Sequence, residues 1–205
     1  MSAFPIYVLI CEGPSPRRER VLAEIERVFG RPPIVVEGLS KNAPDFKTRA
    51  APHDAALPPG VVACAHGHRV TMQAILDAGH PFALVLEDDV QILGTAEEFA
   101  RAFAALKWRR WDWIQFKGPY NASWDVFTPH PDSFMLHGIQ RARHLPMTTL
   151  CYGVSRPGAQ KILDRLTPIT CPVDQITSQC RLAHAFKGPA LATCATETPS
   201  LIWDE

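Results

Sequence analysis

The sequence predicts an α/β domain with a mostly parallel central sheet flanked by helices. The chain opens as strand, helix, strand, the order that favours parallel pairing. The stretch FALVLEDD, from Phe82 to Asp89, begins as a continuous apolar run of the kind buried on both faces of a sheet. Its 205 residues, 46% of them hydrophobic, suffice for one well-buried domain and are few for two, so a single domain over residues 1–205 is expected.

PIYVLI gives the first strand. The helix after it, SPRRERVLAEIERVFG, has Ser15 as cap, Pro16 at its first position and Gly30 to end it. Val21, Leu22, Ile25, Val28 and Phe29 recur at helical spacing, and PIVVEG supplies the second strand. From Leu39 to Gly60, four prolines among polar residues predict a long loop able to border a cleft. VVACAHGHRVTMQAILDAG reads as a helix ending at Gly79, before the acidic strand. Thr95 and Glu98 form a capping-box signature for the helix TAEEFARAFAALKW. WDWIQF, SFML and LCYGVS are expected strands, and SRPGAQKILDRL a short helix with Ile162, Leu163 and Leu166 inward. CPVDQITSQCRLAHAF reads as helical after Pro172, and PALATCA as a closing strand.

Charge excludes some partners. The 21 basic and 21 acidic residues cancel to +0, so no global field draws the chain to nucleic acid or an anionic membrane. The N-terminus lacks the basic-then-apolar order of a secretory signal, and no apolar run approaches the roughly 20 residues that span a bilayer, so a cytoplasmic location is expected. Six cysteines without a C-x-x-C pair fit neither a zinc framework nor a disulfide scaffold and are expected as reduced, mostly buried thiols.

Glu87, Asp88 and Asp89 close the most apolar strand, where ligands bind in open α/β sheets. Two carboxylates about 4 Å apart repel by roughly 4 kcal/mol at an effective dielectric of 20, so a positive partner is required unless water solvates the turn. Mg²⁺ or Mn²⁺ meets that need, with carboxylates and a diphosphate as its habitual oxygen ligands.

The blocks YVLICEGPSPRRERV, GVVACAHGHRVTMQAIL, LVLEDDV and CYGVSRPGAQKIL followed by PVDQ together resemble glycosyltransferase family 25, in its order and approximate spacing. The resemblance implies a GT-A-like nucleotide-diphospho-sugar transferase fold, a UDP-sugar donor, most often UDP-galactose, and a Mn²⁺-type site. It makes Glu87, Asp88 and Asp89 the donor and metal motif, with Asp89 and Glu87 as metal ligands. Arg17, Arg18 and Arg20 sit at a helix N-terminus, where phosphate is favoured, and Arg17 and Arg18 match the family's arginines there; a solvated basic helix face paired with Glu19 and Glu24 is the other reading. His68 matches the family's histidine and is placed in the donor pocket, with structural use at a helix start as the alternative. Asp174 is the candidate base for an inverting displacement, or else a helix cap.

Two departures stand out. Gly67-His68 replaces the Ser-His of many relatives, and Cys11-Glu12-Gly13 replaces a polar Asn-Leu-Asp. Tyr120 and Trp124 are candidates for stacking on an acceptor sugar. The basic segment His137–His144 is a candidate peripheral contact with anionic lipid at the inner membrane, or a solvated face. The expected activity is transfer of a hexose to a hydroxyl of a surface glycan such as lipopolysaccharide, the acceptor being a glycan or lipid-linked glycan. The rivals are a metal-dependent hydrolase using Glu87, Asp89 and a His66/His68 pair, and a non-catalytic glycan- or nucleotide-binding module.

Overall fold

The computed structural model describes residues 4–13, 15–117, 128–129, 139–144, 148–178, 183–186 and 190–195. In chain order its elements are β1 (Ile6–Cys11), α1 (Pro16–Phe29), β2 (Ile34–Gly38), α2 (Phe46–Arg49), α3 (Pro59–Asp77), β3 (Phe82–Glu87), β4 (Val90–Ile92) and α4 (Ala96–Leu106). There follow β5 (Trp113–Gln115), β6 (Thr128–Pro129), β7 (Ile139–His144), β8 (Cys151–Ser155), α5 (Arg156–Arg165), α6 (Val173–Ser178), β9 (Ala183–Phe186) and β10 (Ala192–Cys194).

Eight strands form one sheet in the order β2-β1-β3-β8-β5-β9-β7-β6. β1 is parallel to both β2 and β3, and β5 to β9, while β8 and β7 run against their neighbours. The sheet is mostly parallel in the sense that all its strands but β7 and β8 point the same way, with helices on both faces, as expected. Period-two alternation divides the core. Ile6, Val8, Ile10, Leu84 and Leu86 pack with Val21 and Ile25 of α1 and Phe99 and Phe103 of α4. Tyr7, Leu9 and Val85 face the other way, onto Met72 and Ile75 of α3, Ile162 of α5 and Ile176 of α6.

The helix termini follow their sequence signals. Ser15 Oγ accepts from the Arg18 N–H, and Gly30 closes α1 in the left-handed region at φ 67°. Thr95 and Glu98 make both halves of the capping box on α4. Ser155 caps α5 by accepting from Gly158 N–H. At Gly158 a Cβ would lie 2.1 Å from the Asp112 carbonyl oxygen, so only glycine lets α5 approach the start of β5 this closely.

Several expectations need correction. The Leu39–Gly60 segment is not wholly loop: α2 forms within it, with Phe46 and Ala51 buried, and α3 already begins at Pro59. Among the described residues after Pro172, Val173–Ser178 form α6 and AHAF is strand β9, paired with β5 and β7, so the expected helix does not reach Phe186. PALATCA contributes β10, which pairs with β4 in a separate two-stranded sheet instead of joining the main one. The basic run at Ile139–His144 is strand β7. SFML, Tyr120, Trp124, His137 and Cys180 lie outside the described residues.

Candidate functional site

β1, β2 and β3 end side by side at Cys11, Gly38 and Glu87, and a cleft of about 180 Å³ lies beyond these ends. Its walls come from Cys11, Arg17, the Leu39–Asn42 segment, Cys64 and the three acids Glu87, Asp88 and Asp89. The position is the one parallel strands favour for ligands, because their carboxyl ends and the following helix N-termini open there together.

The three acids have different surroundings. Glu87 Oε1 accepts from His68 Nε2 at 3.0 Å and from the Thr149 hydroxyl, leaving Oε2 for the cleft. Burial works to raise the Glu87 pKa, but the His68 and Thr149 contacts outweigh it and hold the group below its ordinary value. Asp88 accepts from Arg17 Nη1 and from the Cys11 N–H, both at 3.5 Å, and burial raises its pKa despite Arg17. Asp89 Oδ1 is buried and has no hydrogen-bond partner among the described residues. Burial, reinforced by the charges of Glu87 and Asp88, pushes its pKa up to about 7.

A deeper layer orients these groups. His68 is fully buried on α3 and bonds Tyr152 OH through Nδ1 at 2.8 Å. With the tautomer that donates from Nε2 to Glu87, Nδ1 accepts from the tyrosine hydroxyl. Tyr152 stacks on Trp113 with ring centroids 3.6 Å apart, and Trp113 Nε1 donates to Gln115. On the other side, Arg20 of α1 donates to the backbone oxygens of Asp88 at 2.7 Å and Val90 at 2.8 Å, and Glu24 accepts from Ile92 N–H. These two α1 residues clamp the acidic turn. Sequence reasoning overlooked Arg20, Tyr152 and Thr149 in this role; only the Arg20–Glu24 spacing carried a signal, and it read as a surface pair.

The other candidates separate. Arg17 reaches the cleft, whereas Arg18 turns to Glu37 at 2.7 Å and does not line it. His66 and His68 serve different partners: His66 Nδ1 accepts from Ala51 N–H while His68 faces Tyr152 and Glu87. Asp174 lies within the first turn of α6, not at its cap, and its Oδ1 accepts from Gln175 N–H. Burial, with a contribution from Glu87, raises its pKa.

Asp89 Oδ1, a buried carboxylate oxygen without a donor among the described residues and beside two further acids, has the electrostatic need that a divalent cation meets. One turn apart on α3, Cys64 and His68 join Glu87 in a second set of metal-competent atoms, all within 4.8 Å of one another.

The profile of glycosyltransferase family 25 (LPS biosynthesis protein) matches residues 35–177, which span the cleft's second strand, α3, the acidic turn and α6. The chain belongs to glycosyltransferase family 25. It is therefore a glycosyltransferase by family. Among solved structures it is similar to A197 from STIV, at 11% identity over 89% of this chain and 81% of that one, with a TM-score of 0.50. A glycosyltransferase involved in the glycosylation of the major capsid of PBCV-1 aligns at 11% identity over 95% and 94%, TM-score 0.47. Mannose-1-phosphate geranyltransferase from Thermus thermophilus aligns at 11% over 89% and 74%, TM-score 0.46. Comparison with curated proteins found no match.

Gly67 and Glu12, at the two positions expected from the sequence to depart from the family's pattern, have local structural partners. A Cβ at Gly67 would lie 2.7 Å from Leu9 Cδ1, so glycine here goes with a leucine that fills the space above β1. Glu12 accepts from Ser40 N–H at 3.0 Å and from Arg49 at 2.8 Å, tying the end of β1 to the segment that walls the cleft. The Ser40 N–H and then Arg49 hold its pKa below the ordinary carboxylate value.

Proposed function

We propose that this family-25 glycosyltransferase moves a hexose, galactose by family resemblance, from a UDP-sugar to a hydroxyl of a surface glycan such as lipopolysaccharide, with inversion. The observation that carries this reading is Asp89: a buried carboxylate oxygen, unpartnered among the described residues, on a residue that lines the cleft beyond the parallel strand ends. Mn²⁺ or Mg²⁺ held by Asp89 and Glu87 would supply electrostatic relief for the charge that grows on the departing diphosphate.

The chain's own residues do the rest. Arg17, at the cleft wall beside the N-terminus of α1, donates to a donor phosphate. Asp88 keeps Arg17 aimed, and His68, itself buried, positions Glu87. Asp174 takes the acceptor hydroxyl proton; its raised pKa makes it a better base than an ordinary surface aspartate, and Glu87 lies near enough to act on it. A GT-A-like arrangement, peripheral contact with the inner membrane through the basic β7 segment and a lipid-linked acceptor belong to the same proposal. None of the described helices is long and apolar enough to cross a membrane.

The test is a thermal-shift screen of UDP-sugars with Mn²⁺, followed by turnover of the best binder. Asp174→Asn should abolish turnover and leave UDP binding intact; unchanged turnover removes the base assignment. Purified protein that with Mn²⁺ neither binds UDP nor slowly hydrolyses any UDP-sugar would refute the reading as a whole.

A further inference from the structure

We propose that Cys64, His68 and Glu87 form a second cation site, selective for a thiophilic divalent ion such as Zn²⁺, in the floor of the same cleft. Cys64 and His68 stand four residues apart on α3, so both project from one face of the helix, toward the end of β3 where Glu87 sits. Their ligand atoms lie within 4.8 Å of one another. The His68 Nε2 to Glu87 Oε1 separation is 3.0 Å. Tetrahedral zinc with bonds of about 2.0–2.1 Å to nitrogen and oxygen places those two ligands roughly 3.3 Å apart. Two of the three ligands are thus almost in place, and a rotation of the Cys64 side chain brings the third.

The surroundings suit such an ion. A histidine ligand is normally steered by a hydrogen bond at its other nitrogen, and Tyr152 OH already sits 2.8 Å from His68 Nδ1. On binding, His68 changes tautomer: the proton moves from Nε2 to Nδ1 and is donated to the tyrosine oxygen, while Nε2 takes the metal. The Cys64 thiol loses its proton to solvent as the Zn–S bond forms, so one proton is released per ion bound. A thiolate, a carboxylate and a neutral imidazole around a divalent ion sum to zero charge, the least costly state for a largely buried centre. Three protein ligands leave the fourth position open toward the cleft.

Sulfur separates this site from the oxygen pair of Asp89 and Glu87, because thiolate ligands favour zinc and cobalt over Mg²⁺ and Mn²⁺. Glu87 is common to both through different oxygens, Oε1 facing His68 and Oε2 the cleft, so zinc on Oε1 drains negative charge from the carboxylate that holds the hard cation and weakens transfer. Zinc binding stands on these side chains alone; its inhibition of transfer rests on the proposed transferase reading.

Metal-stripped protein is titrated with Co²⁺ and its absorption recorded. One equivalent should give tetrahedral d–d bands and a thiolate-to-cobalt charge-transfer band, displaced by one equivalent of Zn²⁺ but not by a large excess of Mg²⁺. Cys64→Ser should remove the charge-transfer band and weaken Zn²⁺ by more than the about 10–100-fold typical of losing an outer partner. Cys11 also lines the cleft, so Cys11→Ser is the control and should retain the band. No charge-transfer band in the unmodified protein, or a band lost with Cys11 and kept without Cys64, overturns the proposal. Should Cys64→Ser not fold, alkylation of the unmodified protein read residue by residue answers instead. Zn²⁺ must protect Cys64 and leave the exposed Cys194 reactive; equal labelling overturns the site. An intact cobalt spectrum in a protein that binds no UDP-sugar would refute the transferase reading and leave the zinc site standing.

Discussion

Two aspartates with buried carboxylate oxygens lie beyond opposite strand ends of the sheet, and they are treated differently. Asp112, just before β5, has a side chain 2% exposed, and both of its oxygens accept from Lys161 Nζ at 2.8 Å. Asp89, just past β3, has an oxygen that accepts from nothing described and a pKa pushed up to about 7 by burial and its acidic neighbours. One carboxylate comes with its counter-charge built in, as a group that serves stability must. The other lacks it, which costs stability and prepares the site for a cation supplied from outside.

The sharpest way to break this contrast is Asp89→Asn. Losing the charge should lower transferase turnover by about 10²–10³-fold, the scale of a removed electrostatic stabiliser, measured as Mn²⁺-dependent release of UDP. Activity close to the unmodified enzyme would make Asp89 an ordinary buried acid. Next in size, Lys161→Met should destabilise the protein by about 2–3 kcal/mol by leaving Asp112 buried and unpaired; half-exposed Lys161 keeps the figure below that of a fully buried pair. Adding Asp112→Asn should recover most of that loss in denaturant melts, with UDP binding unaffected throughout.

The third prediction concerns pH. In the unfolded chain Asp89 ionises near its usual value of about 4, and in the fold at about 7. Between these values the folded state holds the extra proton, so stability declines as pH rises and the cost is complete above 7. About three pK units amount to about 4 kcal/mol, and partial exposure of Asp89 roughly halves this, so Asp89→Asn should stabilise the metal-free protein at pH 8 by about 2 kcal/mol, roughly 4–8 °C, and leave it nearly unchanged at pH 4. No such stabilisation is expected from Asp112→Asn. The smallest effect is Tyr152→Phe, which removes one hydrogen bond from His68 and should cost about 1 kcal/mol in stability and a few-fold in turnover.

Local signals carried much of the fold. Ser15, Pro16 and Gly30 bounded α1, the Thr95 and Glu98 pair started α4, and the apolar runs marked β1, β3 and β8 because each is buried on both faces. Elements that depend on distant partners were not legible. β4 is three residues long and exists through pairing with β10 about a hundred residues later, and β9 reads as helix until β5 and β7 flank it. The acids of the candidate site were visible for the same reason as β3. Thr149 and Tyr152 were not, since the antiparallel register Leu86 to Cys151 and Val85 to Tyr152 is what brings them to Glu87 and His68. The i, i+4 spacing of Cys64 and His68 is itself a ligand spacing visible in the sequence, and it is less conspicuous than the nearer His66 and His68 pair.

β8 begins beside Glu87 and ends at Ser155, whose hydroxyl bonds the Trp111 carbonyl and whose N–H bonds Asp112. This five-residue strand therefore acts as a ruler between the two aspartates. Inserting or deleting one residue between Leu150 and Ser155 would put the Glu87 end and the Asp112 end out of step together. The segment from Lys41 to Pro58 contributes no strand to the sheet and is tied down at Arg49, Ala51 and His53, so changes of length among relatives should accumulate between these ties and spare the ruler.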